Sequence, residues 1–293
     1  MGLFLPIFLY QFLDFSLSLV VIYYLIIDLL YLGLVVYGCR GIMNRWGIKK
    51  SLQLSILFGA IYYGLFFFIN HYLLAGDFTA VGSKIWWLVP TIFLSLLFRL
   101  THWIPFHTSL ATLTDRSIRA SQLSFLEATI LALGAVMPLV AGLALEYLGY
   151  SWLFLLAIII YLLSWLPFSR LPQVEEKFSW SYGETWRRLF SKKNKDSFLA
   201  YTGSGAESVV GSVVWPIFIW QLLSGNYWQV GAISSIIIIV TIVLQIMVGY
   251  FLDRLPNRRR WLRYGTWLYS LGWILKALIN NALQVFLFST YHN

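Results

Sequence analysis

Charge is scarce in this chain. Asp, Glu, Lys and Arg together make up 11% of its 293 residues, against about 25% in an ordinary soluble domain. One cysteine, Cys39, excludes an intramolecular disulfide, and four scattered histidines give no metal-ligand spacing. No Gly-rich phosphate loop is present, which removes nucleotide hydrolysis as a built-in energy source. The opening segment has neither a basic leader nor a small-residue cleavage site, so no secretory signal is read there. What the chain does have is apolar surface: 59% hydrophobic residues and a mean hydropathy of +0.74, the composition of an integral membrane protein. Its 14 Trp, 18 Tyr and 22 Phe crowd the ends of apolar runs, as at Trp86, Trp87, Tyr150, Trp152, Trp180 and Trp261. Amphipathic rings suit the headgroup region at such ends.

A helix needs about 20 apolar residues to cross the hydrocarbon core. On that ruler full spans are predicted at 15–38, 51–70, 85–112, 121–145, 151–168, 198–222, 228–251 and 262–282, with a short opening helix to Phe12 and a further helix starting at Gln284. The basic residues check this count. Eighteen of the 21 Lys and Arg fall in loops of one face, while Lys84 lies on the other and Arg99 and Lys276 lie inside spans. Such asymmetry marks the basic face as cytoplasmic in a cell membrane, plasma or bacterial inner, and assigns the net charge of +9 to orientation rather than to nucleic acid.

An internal repeat organises the spans. Pro6 to Gln11 reads P-I-F-L-Y-Q, and 210 residues on, Pro216 to Gln221 reads P-I-F-I-W-Q. Gly249 to Arg260, G-Y-F-L-D-R-L-P-N-R-R-R, answers Arg40 to Lys50, R-G-I-M-N-R-W-G-I-K-K, with Asp253-Arg254 opposite Asn44-Arg45. The predicted halves are 1–168 and 198–293. Between them runs a linker, 169–197, in which Trp180, Tyr182, Trp186 and Leu189 interleave with Arg187, Arg188 and Lys192 as a short surface helix. By the repeat, the first helix lacks about 13 residues and three later helices lack partners. A fragment of a longer two-half protein is the expectation.

Two parallel-repeat halves with a basic hairpin after the second and eighth helices resemble the major facilitator superfamily of secondary transporters. Gly249, Asp253, Arg254 and Arg258 to Arg260 are similar to its loop signature, with Pro256 replacing the usual turn glycine. The first copy keeps Arg45, Gly47, Lys49 and Lys50 but carries Arg40 for glycine and Asn44 for aspartate. Arg99 followed by His102 is similar to the arginine and polar residue of the family's fourth helix. Met137 to Gly142 and Gly149 to Phe154 look like its proline-glycine helix and the start of the next span. The resemblance implies an all-α, parallel two-half bundle that moves a small molecule by alternating access, coupled to H+ or Na+, with no cofactor. It also implies gating at the turns Asn44, Arg45, Gly47 and Gly249, Asp253, Arg254. Oligomeric state is left open.

Ionisable groups inside a span are costly and face a bundle interior or water. Arg99 lies near a midplane, and at 100° per residue His102 and His107 flank it. In the resemblance Arg99 and His102 line the transport cavity, and Glu207 lies across it on the seventh helix between Gly203 and Gly211. A pairing of Arg99 with Glu207 is expected, and Asp28 is a second candidate buried carboxylate. Gly134, Pro138 and Gly142 predict a kinked, closely packed helix, with Gly203 and Gly211 in the same packing role. Two competing readings remain: a truncated, non-transporting helical protein, and a membrane-embedded transferase using His102 or His107 as base.

Overall fold

Inside lipid every backbone N–H and C=O must find its partner within the chain, so long apolar runs fold as helices. The computed structural model describes residues 2–74, 81–115, 117–173, 176–252 and 258–292, and among them there is no strand. The helices are α1 (Phe4–Phe12), α2 (Leu17–Leu74), α3 (Val81–Leu113), α4 (Arg119–Ser169), α5 (Tyr182–Leu189), α6 (Lys195–Val209), α7 (Trp215–Leu222), α8 (Tyr227–Leu252), α9 (Arg258–Lys276) and α10 (Ala282–His292). A π-helical stretch, Val210–Val214, joins α6 to α7 without a break. Among the described residues four helices are long and apolar enough to cross a membrane, Leu17–Tyr72, Lys84–Leu113, Ser121–Ser169 and Tyr227–Val248. The protein is an all-α, membrane-embedded chain.

Two of the predicted loops are single residues. α2 runs through the basic stretch and breaks only at Gly47 (φ 73°, ψ 169°), and α4 breaks the same way at Gly149 (φ 76°, ψ 179°). This backbone region belongs to glycine, which has no Cβ to clash there. The two arms of α2 lie side by side, since the Tyr23 and Tyr62 hydroxyls are 3.3 Å apart. The predicted span 262–282 also differs: α9 ends at Lys276, and α10 starts after a turn at 277–281.

The chain packs as two compact units, 1–119 with 148–215, and 120–147 with 216–293. In the first, α1 is almost wholly buried. Phe8 meets Phe66, Tyr150 and Phe154 edge-on at 5.0–5.8 Å between ring centroids. α2 packs along α3, and Cys39, Met43, Ile48 and Leu52 form an apolar cluster around the Gly47 turn. In the second, the first arm of α4 crosses α8, and α10 packs on α8 and α9. The Tyr291 hydroxyl donates to the Leu268 carbonyl at 3.0 Å, and the His292 ring stacks on Tyr269.

The repeat reappears bond by bond. After α1, the N–H groups of Leu13, Phe15 and Ser16 donate to the carbonyls of Leu9, Tyr10 and Leu13. After α7, those of Leu223, Gly225 and Asn226 donate to Ile219, Trp220 and Leu223, each 210 residues on. Asp14 and Phe15 have φ of 52° and 61°, and Ser224 and Gly225 have 54° and 82°. Ser16 and Asn226 then cap the next helix, accepting from the N–H of Leu19 and Gln229.

Within residues 176–197 the short helix α5 spans Tyr182–Leu189. Ser181 caps α5 by accepting from the Glu184 N–H, and Glu184 pairs with Arg188 at 2.6 Å. Tyr182 stacks on Tyr37 at 4.5 Å, and Arg188 lies 4.4 Å over Trp180.

Candidate functional site

Arg99, midway along α3, reaches the first arm of α2 and forms an ion pair with Asp28. Each charge inside a span would be costly alone, and pairing offsets much of that cost. The side chains keep 26% and 40% of their exposure, so the pair is only partly covered by the chain. Tyr24, Asp28 and Tyr31 share one helix face at 100° per residue, which sets two tyrosines on the Asp28 side of α2.

A second polar layer lies further along both helices. The Tyr23 hydroxyl meets Tyr62 at 3.3 Å and Thr91 at 3.1 Å, and Thr91 donates to the Leu88 carbonyl. Tyr23, Tyr62 and Thr91 are buried, so the two tyrosine hydroxyls depend on this layer for their partners. Sequence reading had not singled out this layer. Its signal is the doubled tyrosines, Tyr23-Tyr24 and Tyr62-Tyr63, inside otherwise apolar runs.

The stripe expected of Arg99, His102 and His107 divides three ways. Arg99 turns to the first arm of α2. His102 turns to the second arm, where Nδ1 lies 3.2 Å from the Ser55 hydroxyl, and its ring is stacked between Phe98 and Phe106 at 5.0 and 5.5 Å. His107 is exposed and stacks on Trp103. Glu207 is half-buried on α6, one turn before the π-helical stretch that contains Gly211. The carboxylate facing Arg99 is therefore Asp28, the second candidate of the sequence, and the pairing expected with Glu207 gives way to it.

The other candidates fall as follows. Gly47 makes the α2 turn, and the Ser51 hydroxyl donates to its carbonyl at 2.7 Å. Asn44 uses both ends of its amide on one linker residue. Its nitrogen donates to the Phe178 carbonyl at 3.1 Å, and its oxygen accepts from the Phe178 N–H at 2.9 Å. Arg45 is exposed beside it. Gly249 lies within α8, while Asp253 and Arg254 fall outside the described residues. A Cβ on Gly142 would sit 2.6 Å from the Tyr227 carbonyl oxygen, so this glycine marks the crossing of α4 and α8. One residue beyond Pro138, the Leu139 N–H donates to the Ser235 hydroxyl at 3.0 Å. At Gly134, Gly203 and Gly211 an added Cβ would meet nothing within 4 Å. Among the described residues no three His, Cys, Asp or Glu come together as metal ligands.

An ion pair thus joins two long apolar helices in a chain with an internal repeat. Residues 72–290 match the Major Facilitator Superfamily. The chain belongs to that superfamily. It is a membrane transporter whose substrate is a small molecule. The matched region holds Arg99, His102, Pro138, Glu207 and Gly249, whereas Asp28, Asn44 and Gly47 precede it. Neither the comparison with curated proteins nor that with solved structures gives a match.

Proposed function

We propose that this facilitator-superfamily protein moves its substrate by alternating access, coupled to a proton or sodium gradient, with the Asp28–Arg99 pair as the coupling switch. The observation that carries the reading is the pair itself: opposite charges on two helices, deep in the span region and only partly covered. While Asp28 is ionised it holds Arg99. When Asp28 takes a proton, or Na+ settles against it, the guanidinium is released to meet an anionic or polar group of the substrate. A carboxylate and an arginine that change partners bias two arrangements of the helices that carry them. Glu207, beside a π-helical stretch of a kind often found at functional sites, is a second coupling group, and His102 holds α3 against α2.

In this reading the halves are 1–168 and 198–293, joined by the linker 169–197. The basic loops face the cytoplasm of a cell membrane, and the turns carrying Asn44, Arg45 and Gly47, and Gly249, Asp253 and Arg254, gate that side. The test needs no known substrate. In a Cys39→Ser background, Tyr24→Cys and Tyr31→Cys are labelled with an impermeant maleimide from either side of sealed proteoliposomes. Labelling from both sides is expected, with a balance that shifts on acidification and is locked by Asp28→Asn. Labelling from one side only, unmoved by pH and by Asp28→Asn, would refute the mechanism.

A further inference from the structure

We propose that a cleft on the basic face of the first unit binds a phosphate group. The cleft has a volume of about 430 Å³ and lies between the Gly47 turn of α2 and the segment that follows α4, within the range of about 300–1,000 Å³ typical of small-molecule sites. Arg45, Lys49 and Lys50 line it from α2 and Lys177 from the segment, with the amides of Gln53 and Gln173 between them. Glu176 is the one acidic lining residue among those described.

What distinguishes these cations is that they converge on one cleft, and the ion pairs among the described residues lie elsewhere. Among the described residues Lys84 pairs with Asp14, Arg99 with Asp28 and Arg188 with Glu184. The Arg119 guanidinium is taken up by Thr114 and by the Ala111 carbonyl. None of Arg45, Lys49, Lys50 or Lys177 has an acidic partner among the described residues. Four like charges around one concavity repel each other, and an anion entering it relieves that repulsion. Arginine offers a fork that fits a tetrahedral oxyanion, and lysines add point charges around it. The second arm of α2 also begins here, so the positive end of its dipole adds to the same field.

The wall opposite α2 is held in place. Phe178, next to Lys177, is clasped by both ends of the Asn44 amide, and Tyr182 stacks on Tyr37. The backbone next to Lys177 is therefore tied to α2. A bound phosphate would join α2 to the linker through Arg45, Lys49 and Lys50 on one side and Lys177 on the other. The shared chemistry is that of a phosphate oxyanion, supplied either by the headgroup of an anionic phospholipid in the adjacent leaflet or by a soluble phosphate. The inference does not depend on transport.

The experiment reads acetylation rates of individual lysines by peptide mass spectrometry on the full chain in nanodiscs. One arm adds inorganic phosphate to phosphatidylcholine discs; the other replaces part of the phosphatidylcholine with phosphatidic acid. A chloride control matches ionic strength. Lys49, Lys50 and Lys177 should slow about fivefold once a probe exceeds its dissociation constant about fourfold, while exposed Lys192 and Lys193 on the linker keep their rates. Slowing in the phosphatidic acid arm alone identifies a lipid headgroup, and slowing with inorganic phosphate identifies a soluble ligand. In an Arg45→Gln, Lys177→Gln double variant the protection of Lys49 and Lys50 should vanish, whereas Lys192→Gln should leave it intact. No slowing with either probe, equal slowing in chloride or at the control lysines, or protection that survives in the double variant would overturn the proposal.

Discussion

Replacing Gly231 by alanine should unlock the crossing of α4 and α8. A Cβ there would lie 2.3 Å from the Pro138 carbonyl oxygen, 3.0 Å from its carbon and 3.2 Å from the Gly142 Cα. All three are backbone atoms, so no side chain can swing aside, and the helices must part by about 1 Å to restore ordinary contact. Overpacking of this kind costs about 1–3 kcal/mol. Parting also weakens the bond from the Leu139 N–H to the Ser235 hydroxyl, and interhelical hydrogen bonds in membranes average about 0.6 kcal/mol. A total loss of about 2–4 kcal/mol is expected, read as a lower midpoint in reversible unfolding in mixed micelles. Gly142→Ala meets the Tyr227 carbonyl at 2.6 Å and should cost a similar amount. The double variant should cost less than the sum, because one separation relieves both clashes. Gly134→Ala is the control, since its Cβ meets nothing within 4 Å and alanine gains up to about 1 kcal/mol in helix propensity. Equal midpoints for all three single variants would refute the close crossing.

Arg99→Ala leaves Asp28 without its partner, and should destabilise by about 1–3 kcal/mol, below the fully buried range because both groups are partly exposed. Adding Asp28→Asn should restore part of that loss in the same unfolding assay; a double variant no more stable than the single one would remove the pair from the account. Asn44→Asp keeps the acceptor for the Phe178 N–H but loses the donor to its carbonyl. A loss of about 0.5–1.5 kcal/mol should appear as roughly two- to tenfold faster hydrogen exchange at Phe178, and unchanged exchange would mean the clasp holds nothing. Asp115 accepts from the Ser117 hydroxyl and N–H at 2.7 and 2.8 Å, and these bonds hold its carboxyl below the ordinary value of 3.8. Its folded value being the lower one, any stability it contributes is present above that ordinary value and fades as pH falls through the depressed one. Selective carboxyl ¹³C titration should show the depression, and Ser117→Ala should abolish most of it.

Length, apolarity and the clustering of basic residues made the membrane class and most spans legible, because lipid leaves a chain so few alternatives. The repeat was legible too: six residues from Pro6 and six from Pro216 announced two turns that match down to individual hydrogen bonds. Reversals were harder to place. Arg40, Asn44 and Arg45 read as loop residues, yet helix α2 carries them to Trp46 and turns at Gly47, since a helix can run past the hydrocarbon region without penalty. Partners across helices were the least legible. Spacing along α3 says which way Arg99 points relative to His102 but not which neighbour stands there, so Glu207 is the expected partner on paper with Asp28 second, while the structure pairs Arg99 with Asp28. The resemblance to the family's fourth helix places His102 in the cavity; its stacking on Phe98 and Phe106 follows from spacing along α3, whereas its contact with Ser55 depends on how α3 is rotated against α2.

The Gly47 turn also sets a rule for length. A reversal made by one residue has no slack, so the two arms of α2 are locked in register from the turn outward. One residue inserted between Gly47 and Ser55 would rotate the rest of the second arm by about 100° and slide it about 1.5 Å. Ser55 would leave His102, and Tyr62 would leave Tyr23. Insertions and deletions are thus barred from this hairpin even at its exposed, polar tip, where chain length ordinarily varies most freely.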